Sequence, residues 1–309
     1  MSQRKKNIRL ILVWLVLVLV TALVLLTRGD RNRINVARDL FAVEDVSKVD
    51  QVVITTSDQE NDLRFQNGIW TINNKYKADP QRVTVLFAIL KQNKIRRKAA
   101  SRKIASLDSA KQGGGISVKF LSTSRVVKGF DIIDLDGLTY FNDGEESYVV
   151  EIPGYRVDLG GIFKLDEGGW RNPLVFDLNW ANLQEVNMIF PERPKDQFDV
   201  VYQRRYYTIK QLETADSTKL TDFLDNVSLL YVNDYLDKDE LANYKIDIRS
   251  PKASIIVSDV GGNKHSLTIY NEQEGSNTVL GEIDSTDYAL FDFNMIRKAL
   301  RPKQYFSEQ

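Results

Sequence analysis

Short stretches of alternating apolar and polar residues, followed by apolar residues at helical spacing, predict small sheets packed against helices. The segment from Leu63 to Ile72 has apolar, aromatic and β-branched residues around Asn67-Gly68, the dipeptide favoured in a type I′ hairpin turn. Asp79 then offers an N-cap side chain, and Pro80 suits the first helical position. A helix is predicted to follow, because the next apolar residues share one helical face: Val83, Leu86, Phe87 and Leu90.

The same pattern returns after a constant interval of 137 positions. Tyr207-Thr208-Ile209 falls on Trp70-Thr71-Ile72, and Asp216 falls on the capping Asp79. A register shared by strand-like and helix-like segments indicates two copies of one α+β unit. Further matches are Val49 with Val186, Asp62 with Asp199, Gln66 with Gln203, Ala78 with Ala215, Ser117 with Ser254 and Ile132 with Ile269, while Tyr148 matches Tyr288 after a three-residue slip.

The second copy differs from the first at its hairpin turn. Gln203-Arg204-Arg205 replaces the Asn-Gly signal, so a different turn type is expected there. The helix that begins at Asp216 is expected to reach about Val232, with one apolar face formed by Leu220, Phe223, Leu224 and Val227.

The rest of the pattern predicts further short strands and two irregular segments. Lys94 to Lys103 is interpreted as a helix C-terminus and solvated loop, with a surface for anionic groups as the alternative. Gly113-Gly114-Gly115 is interpreted as a linker, because the Lys-Ser/Thr of a phosphate loop is absent. The other predicted strands are 49–55, 116–121, 126–133, 138–141, 148–152, 186–190, 253–257, 264–270, 278–283 and 288–293, with short helices or turns at 157–163 and 295–300.

A nearly continuous apolar run from Leu10 to Leu26 follows a basic N-terminal segment. A run of this length is near the lower limit for crossing a bilayer, so it predicts a transmembrane helix that acts as a signal anchor; a cleaved signal peptide is the alternative. The preceding cations favour a cytoplasmic N-terminus by the positive-inside rule. The expected location is therefore the inner (cytoplasmic) membrane, with a single pass and a periplasmic body. The cations are Arg4, Lys5, Lys6 and Arg9.

Together these patterns predict an α+β fold in which an N-terminal transmembrane helix precedes two tandem homologous units, each a mostly antiparallel sheet with one main capped helix. Trp170 and Trp180 indicate that the connecting segment packs against one or both units, since a flexible polar linker would not carry them. The predicted segments are 1–28 for the basic tip and anchor, 29–47 for a juxtamembrane tether, 48–165 for the first unit, 166–182 for the packed joint and 183–309 for the second unit.

Composition excludes little beyond the chemistry of cysteine. The chain has 43% hydrophobic and 27% charged residues, and 42 Lys+Arg balance 42 Asp+Glu, so no basic field indicates nucleic acid as a partner. There is no cysteine, which excludes disulfides and a lipid-modified N-terminal cysteine.

Residues with catalytic or metal-binding chemistry are few. His265, the single histidine, is interpreted as an ordinary hairpin residue. One dense set of oxygen-bearing side chains is interpreted as turn composition, with a calcium site as the alternative. We therefore assign no catalytic, cofactor-binding or metal-binding residue and no cofactor, and expect a protein that is not an enzyme. A hydrolase whose two carboxylates meet in a cleft is a further alternative. The oxygen-rich set is Asp134, Asp136, Asn142, Asp143, Glu145 and Glu146, with Gly137.

Aromatic residues raise the question of a binding surface. Most of them lie on strand or joint patterns, where core packing is favoured, and a glycan-stacking surface is the alternative. They are Trp70, Tyr76, Tyr155, Trp170, Trp180, Tyr206 and Tyr207.

Four segments carry a resemblance to a known family. The hairpin Gly68 to Ile72, the segment Tyr76 to Pro80, Tyr148-Val149-Val150 and Trp170 to Pro173 resemble the bacterial domain of unknown function 4340 family. This resemblance implies a single-span envelope protein, often encoded beside ABC transporter genes of the gliding-motility type. It brings no catalytic residues to this sequence.

The expected function is a membrane-anchored, extracytoplasmic accessory or structural subunit of an envelope complex, associated with an ABC-type transporter or gliding-motility machinery. Its expected partners are the membrane and other envelope membrane proteins, with ABC transporter subunits as candidates among them. Nucleic acid is not expected as a partner. A binding module for cell-wall glycan or a small ligand is the alternative.

Overall fold

The computed structural model describes residues 13–22, 38–155, 158–178, 180–242, 244, 249–271 and 275–307. Residues 13–22 form helix α1, whose side chains are exposed. No helix in the described ranges is long and apolar enough to cross a membrane. The span predicted from Leu10 to Leu26 extends beyond the described residues at both ends, and the predicted tether before residue 38 lies outside them.

Nine strands form an antiparallel sheet in the N-terminal half of the body. They are β1 (Gln51–Thr55), β2 (Glu60–Gln66), β3 (Ile69–Ile72), β4 (Tyr76–Lys77), β5 (Lys94–Lys98), β6 (Ile116–Ser122), β7 (Arg125–Leu135), β8 (Leu138–Asn142) and β9 (Ser147–Glu151). Their order in the sheet is β4-β3-β2-β1-β6-β7-β8-β9-β5.

Eight strands form a second, separate antiparallel sheet. They are β10 (Leu183–Ile189), β11 (Phe198–Gln203), β12 (Tyr206–Ile209), β13 (Asp234–Leu236), β14 (Ala253–Asp259), β15 (Lys264–Ile269), β16 (Thr278–Ile283) and β17 (Asp287–Asp292). The order β12-β11-β10-β14-β15-β16-β17-β13 corresponds strand for strand to the first sheet from β3 to β5. β4 alone has no counterpart among the described strands, and the α+β class with antiparallel sheets is confirmed.

Helices α2 (Pro80–Gln92) and α5 (Ser217–Ser228) each begin after a capping aspartate, as predicted. The Asp79 carboxylate accepts a hydrogen bond from the Gln81 amide at 2.8 Å, and Asp216 accepts one from the Lys219 amide at 3.0 Å. These bonds satisfy amides that have no partner within the helix. The other helices are α3 (Ile104–Gly114), α4 (Glu167–Trp170), α6 (Lys238–Leu241) and α7 (Phe293–Ala299), with 3₁₀ turns at Val46–Lys48, Ser101–Lys103, Gly161–Lys164, Pro194–Asp196 and Lys303–Phe306.

Each sheet packs against a hydrophobic core of its own. Trp170 and Phe306 hold corresponding places in these cores, since both side chains are fully buried. The Trp170 carbonyl accepts the amide of Asp79, and the Phe306 carbonyl accepts the amide of Asp216, both at 2.9 Å. The start of each main helix is thus fixed by a buried aromatic residue far away in sequence.

The described end of the predicted tether belongs to the first core. Phe41 is only 1% exposed. Its ring makes edge contacts with Phe130, Phe141 and Tyr148 at centroid distances of 5.5, 5.5 and 5.8 Å. The interpretation of Phe41 as a tether residue was therefore wrong: Phe41 lies in the core, and Leu40 and Val43 pack against the same core.

The interval of 137 positions holds in the hairpins and main helices but not in the first strands. Val52 pairs with Leu63, and Val186 pairs with Val200, so Val186 corresponds to Val52 and not to Val49. The connection from β10 to β11 is thus longer than the one from β1 to β2, which a constant interval could not reveal.

The predicted match of Tyr148 with Tyr288 is also wrong by one residue. Phe141 pairs with Tyr148 in the first sheet, while Gly281 pairs with Ala289 in the second. Ala289 is fully buried and takes the core-facing position. Because strand side chains alternate between faces, the neighbouring Tyr288 points to the opposite face of the sheet.

Two segments predicted to be irregular are regular in the structure. Lys94–Lys98 forms β5, which pairs with β9 and not with a sequence neighbour. Gly113 and Gly114 complete the last turn of α3, whose Leu107 is buried against the sheet. Both outcomes depend on tertiary contacts that override weak local propensity.

Arg171 fastens the two sheets to each other. Its guanidinium lies between the rings of Tyr76 on β4 and Tyr235 on β13, at 3.5 and 3.6 Å from their centroids. Asp287 accepts a hydrogen bond from Arg171 at 3.2 Å and another from the Tyr76 hydroxyl at 2.9 Å. A guanidinium suits this position because its planar faces stack on rings while its edge binds a carboxylate. We call these four residues the Arg171 clamp.

Backbone contacts of the joint support the clamp on both sides. The joint segment pairs with the end of β4 and with the chain that follows α5. These contacts are the bridges Ala78 with Arg171 and Leu174 with Tyr231, and the hydrogen bonds from the Asn172 amide to the Lys77 carbonyl and from the Val232 amide to the Pro173 carbonyl, both 2.8 Å.

The clamp sets the ionisation of Asp287. Burial of this carboxyl disfavours its charged form, but the Arg171 charge and hydrogen bonds from Tyr76, Arg171 and Thr286 outweigh burial and lower its pKa. Because the pKa of Asp287 is lower in the folded state than in the unfolded state, its charge stabilises the fold fully above the unfolded-state pKa of about 4. This stabilisation is lost as the pH falls through the folded-state pKa.

We expect Asp287→Asn to lower the free energy of unfolding at neutral pH by about 1.5–3 kcal/mol, because it removes a charged hydrogen-bond acceptor. The difference from the wild type should shrink as the pH falls from about 4 through the lowered folded-state pKa of Asp287, where the folded wild-type carboxyl also becomes protonated. Urea unfolding over a pH series measures this. Asp108→Asn, at an exposed position of α3, is the control; an equal loss at every pH would contradict the role of the Asp287 charge.

Candidate ligand-binding groove

A groove in the second unit lies between the β11–β12 hairpin and the start of α5. It encloses about 740 Å³ and is open to solvent. We call it the aromatic groove. Four aromatic rings line it together with hydroxyl-bearing and charged side chains, and the principal residues are Trp180, Tyr202, Tyr206, Tyr207, Arg205 and Glu213.

The aromatic wall combines the joint with the hairpin. Tyr207 packs edge-on against Trp180 at 5.3 Å between centroids, and its ring lies 5.0 Å from that of Tyr202. Hydrogen bonds hold the wall: the Trp180 indole donates to Asp225 at 3.0 Å, and the Tyr207 hydroxyl donates to the Leu183 carbonyl at 2.9 Å. Burial raises the pKa of Tyr207, so its hydroxyl stays a donor at neutral pH.

Parts of this wall face solvent. Trp180 is 44% exposed and Tyr206 is 56% exposed. A ring that is half exposed and fixed by a hydrogen bond, as Trp180 is, offers contact area at little cost in conformational entropy. The groove therefore has the form of a preformed binding surface.

In the described part of the first unit, three aromatic rings tilted against one another fill the corresponding place. Trp70 lies 5.5 Å from Phe65 and 5.3 Å from Phe87, centroid to centroid. In the second unit Leu224 stands at the position of Phe87, 137 residues later. The helix therefore contributes no ring there, and Trp180 from the joint contacts Tyr207 instead. The exchange of Phe87 for Leu224 was a signal available in the sequence.

The chain after β12 also departs from the first unit. After β3 the chain turns back and forms β4 along the sheet edge, with the Ala78 amide donating to the Trp70 carbonyl at 2.8 Å. The corresponding residues Glu213, Thr214 and Ala215 form no strand and line the far side of the groove. The groove thus occupies the space where β4 lies in the first unit.

The turn at the groove rim contradicts the prediction made from its sequence. Arg204 and Arg205 have φ of 51° and 75°, close to the 53° and 83° of Asn67 and Gly68. Both turns therefore have the two positive φ angles that a type I′ turn requires. The expected change of turn type was wrong, because the twist of the paired strands imposes the turn on two arginines that disfavour it.

The other aromatic candidates lie elsewhere. Trp170 is fully buried in the first core, Trp70 packs between Phe65 and Phe87, and Tyr76 belongs to the Arg171 clamp. Tyr155 is exposed. Of the sequence candidates, only Trp180, Tyr206 and Tyr207 come together; Tyr202, Arg205 and Glu213 of the same groove were not predicted.

The oxygen-rich set is divided among separate ion pairs and turns. Asp134 pairs with Lys164, Asp136 with Lys103 and Glu146 with Lys98. Asn142 bonds to Lys111, and Asp143 accepts backbone amides within its own turn. Among the described residues no three metal-ligating side chains form a group that could hold an ion.

His265 lies on β15, where its Nδ1 atom is 2.9 Å from Asp284.

Within the described lining of the aromatic groove, Glu213 is the single carboxylate. The basic stretch lies mainly on β5, with Lys94, Arg96 and Lys98 each paired to a carboxylate.

We expect Arg204→Asn with Arg205→Gly to raise the free energy of unfolding by about 1 kcal/mol, because it relieves two left-handed arginines. Denaturant unfolding of the intact protein measures the effect. The reverse exchange in the first unit, Asn67→Arg with Gly68→Arg, is the matched control and should destabilise by a similar amount. Destabilisation by the Asn-Gly variant would show that the arginines stabilise the turn by contacts of their own.

Comparisons with known proteins add no relative. No family model matches the chain, no curated protein matches it, and no solved structure matches it. Functional assignment therefore depends on the residues and geometry described above.

Proposed function

We propose that this protein is a membrane-anchored, extracytoplasmic accessory or structural subunit of an envelope complex, associated with an ABC-type transporter or gliding-motility machinery. The observation that carries the proposal is the aromatic groove, a preformed surface of exposed aromatic residues on a body held together by the Arg171 clamp. Exposed aromatic surface that is contiguous and rimmed by polar groups is typical of interaction sites.

The sequence supports the remaining parts of this proposal. The apolar run from Leu10 to Leu26 after four cations supports a single anchor with a cytoplasmic N-terminus. The shared strand order and the capping pair Asp79 and Asp216 support two homologous units that arose from one α+β module. A duplicated framework whose second copy carries the aromatic groove is consistent with one copy being structural and the other binding a partner.

A second candidate is a binding module for cell-wall glycan or a small ligand. The observation that favours it is the composition of the groove, where aromatic rings alternate with hydroxyl groups and two charges, Arg205 and Glu213. A volume of about 740 Å³ is also within the range of small-molecule sites.

The first candidate is tested by crosslinking in the native cells, mild detergent extraction and affinity purification of the intact tagged protein. Envelope membrane subunits should be recovered with the wild type. Tyr206→Ser should reduce their recovery about tenfold, as expected for an aromatic residue at the centre of an interface. Tyr155→Ser, at another exposed tyrosine, is the matched control. A protein that runs alone and monomeric would contradict the proposal.

The second candidate is tested by titrating the intact protein with soluble cell-wall glycan fragments while following tryptophan fluorescence. Binding in the groove should change the emission of Trp180, and the change should be lost in Trp180→Phe. Fragments that bind the wild type without any change in Trp180 emission would place the glycan outside the groove.

A further inference from the structure

The outer edge of the second sheet, β12, differs from the other three sheet edges. Sheet edges expose unpaired backbone groups, and proteins protect them with short strands, charges or covering segments. The edge strand β12 consists of Tyr206, Tyr207, Thr208 and Ile209, without a charge or a proline. No described segment pairs with its outer side.

The other three edges are protected. β4 has two residues and is covered by the joint, where the Asn172 amide donates to the Lys77 carbonyl. β5 carries four cations along its five residues. β13 has three residues and lies beside α4, where Gly168 lies close to Tyr235. An open, uncharged edge is therefore specific to β12.

The first unit shows what fits at this position. There β4 pairs antiparallel with β3, and Ala78 continues the contact to the Trp70 carbonyl. Ala78 in turn forms a bridge with Arg171, so this edge is the one through which the first unit binds its neighbour. The equivalent carbonyl in the second unit belongs to Tyr207. Outside the β11–β12 ladder it accepts no hydrogen bond from the described residues.

The charge at the rim of the aromatic groove indicates the chemistry of a strand that could pair with β12. Arg204 and Arg205 are exposed at the end of β12, and neither has an ion-pair partner among the described residues. Both arginines have left-handed backbone conformations at the two turn positions where Asn-Gly would be favoured. Strained residues of this kind concentrate at binding sites. An incoming segment with carboxylates near this end would form hydrogen bonds with the outer backbone groups of β12 and neutralise the charges of the two arginines.

We propose that β12 binds an extended, acidic segment of a partner protein as an added antiparallel strand, in the place that β4 holds in the first unit. The segment would lie between β12 and residues 213–215, with its backbone paired to Tyr207 and its carboxylates near Arg204 and Arg205. Such strand addition obtains affinity from the backbone and specificity from the flanking side chains. The inference rests on the proposed accessory role, for which it supplies the docking mode.

The probe is a displayed library of random seven-residue peptides, selected on the intact protein. Enriched sequences should be acidic and poor in proline. Synthetic versions should lose roughly fivefold to tenfold in affinity for each N-methyl group placed on an edge-facing amide, because each removes one backbone hydrogen bond. N-methylation of the amides that face away from β12 is the control and should have little effect.

The variant Arg204→Asn with Arg205→Gly separates binding from folding. It should bind the selected acidic peptides about tenfold more weakly while its fold is more stable than the wild type. Loss of binding therefore cannot be ascribed to unfolding. Lys119→Asn with Arg125→Asn, at two exposed cations on the first sheet, is the control for the loss of two positive charges.

Three outcomes would overturn the inference: no enrichment, enriched peptides unaffected by N-methylation, or glycan fragments that compete for the groove while no peptide binds. The last would instead support the glycan candidate. Recovery of envelope subunits in the crosslinking experiment together with any of these outcomes would leave the accessory role in place and reject strand addition as its mechanism.

Discussion

The stacking of one guanidinium between two tyrosine rings is the contact on which the relation of the two sheets depends. Arg171 follows a tryptophan buried in the first core and reaches Tyr235 and Asp287 of the second sheet. A cation whose side chain is only 12% exposed requires a carboxylate and well-placed hydrogen bonds, and Asp287 with Tyr76 supplies them. The joint is thereby held against both units, which also positions Trp180 at the end of the groove.

The second unit shows how a shared framework acquires a binding surface through a few local changes. A leucine replaces the helix phenylalanine of an aromatic cluster, and the chain after β12 leaves the sheet edge that β4 follows in the first unit. The tightly packed core beneath is kept, because Leu220, Phe223 and Val227 still cover the sheet. A rigidly packed core and an open sheet edge together allow a surface to bind a partner without refolding.

Prediction from sequence succeeded where local chemistry decides the structure. The Asn67-Gly68 turn and the Asp79 and Asp216 caps are local, since their hydrogen bonds join residues close in sequence. It failed at β5, whose partner β9 lies far along the chain, and at the turn of Arg204 and Arg205, where strand twist overrides residue preference. Within the groove, Trp180, Tyr206 and Tyr207 were identified by type, but their convergence was not.

By itself the sequence determined the periodicities, the caps, one hairpin turn and the interval that relates the two halves, because these depend on side-chain pattern and backbone preference over a few residues. Only the tertiary structure decided that Phe41 enters the first core, that Ala289 and not Tyr288 faces the second, and that Arg171 meets Asp287. Those outcomes depend on pairing and packing between residues far apart in the chain, for which local pattern contains no information.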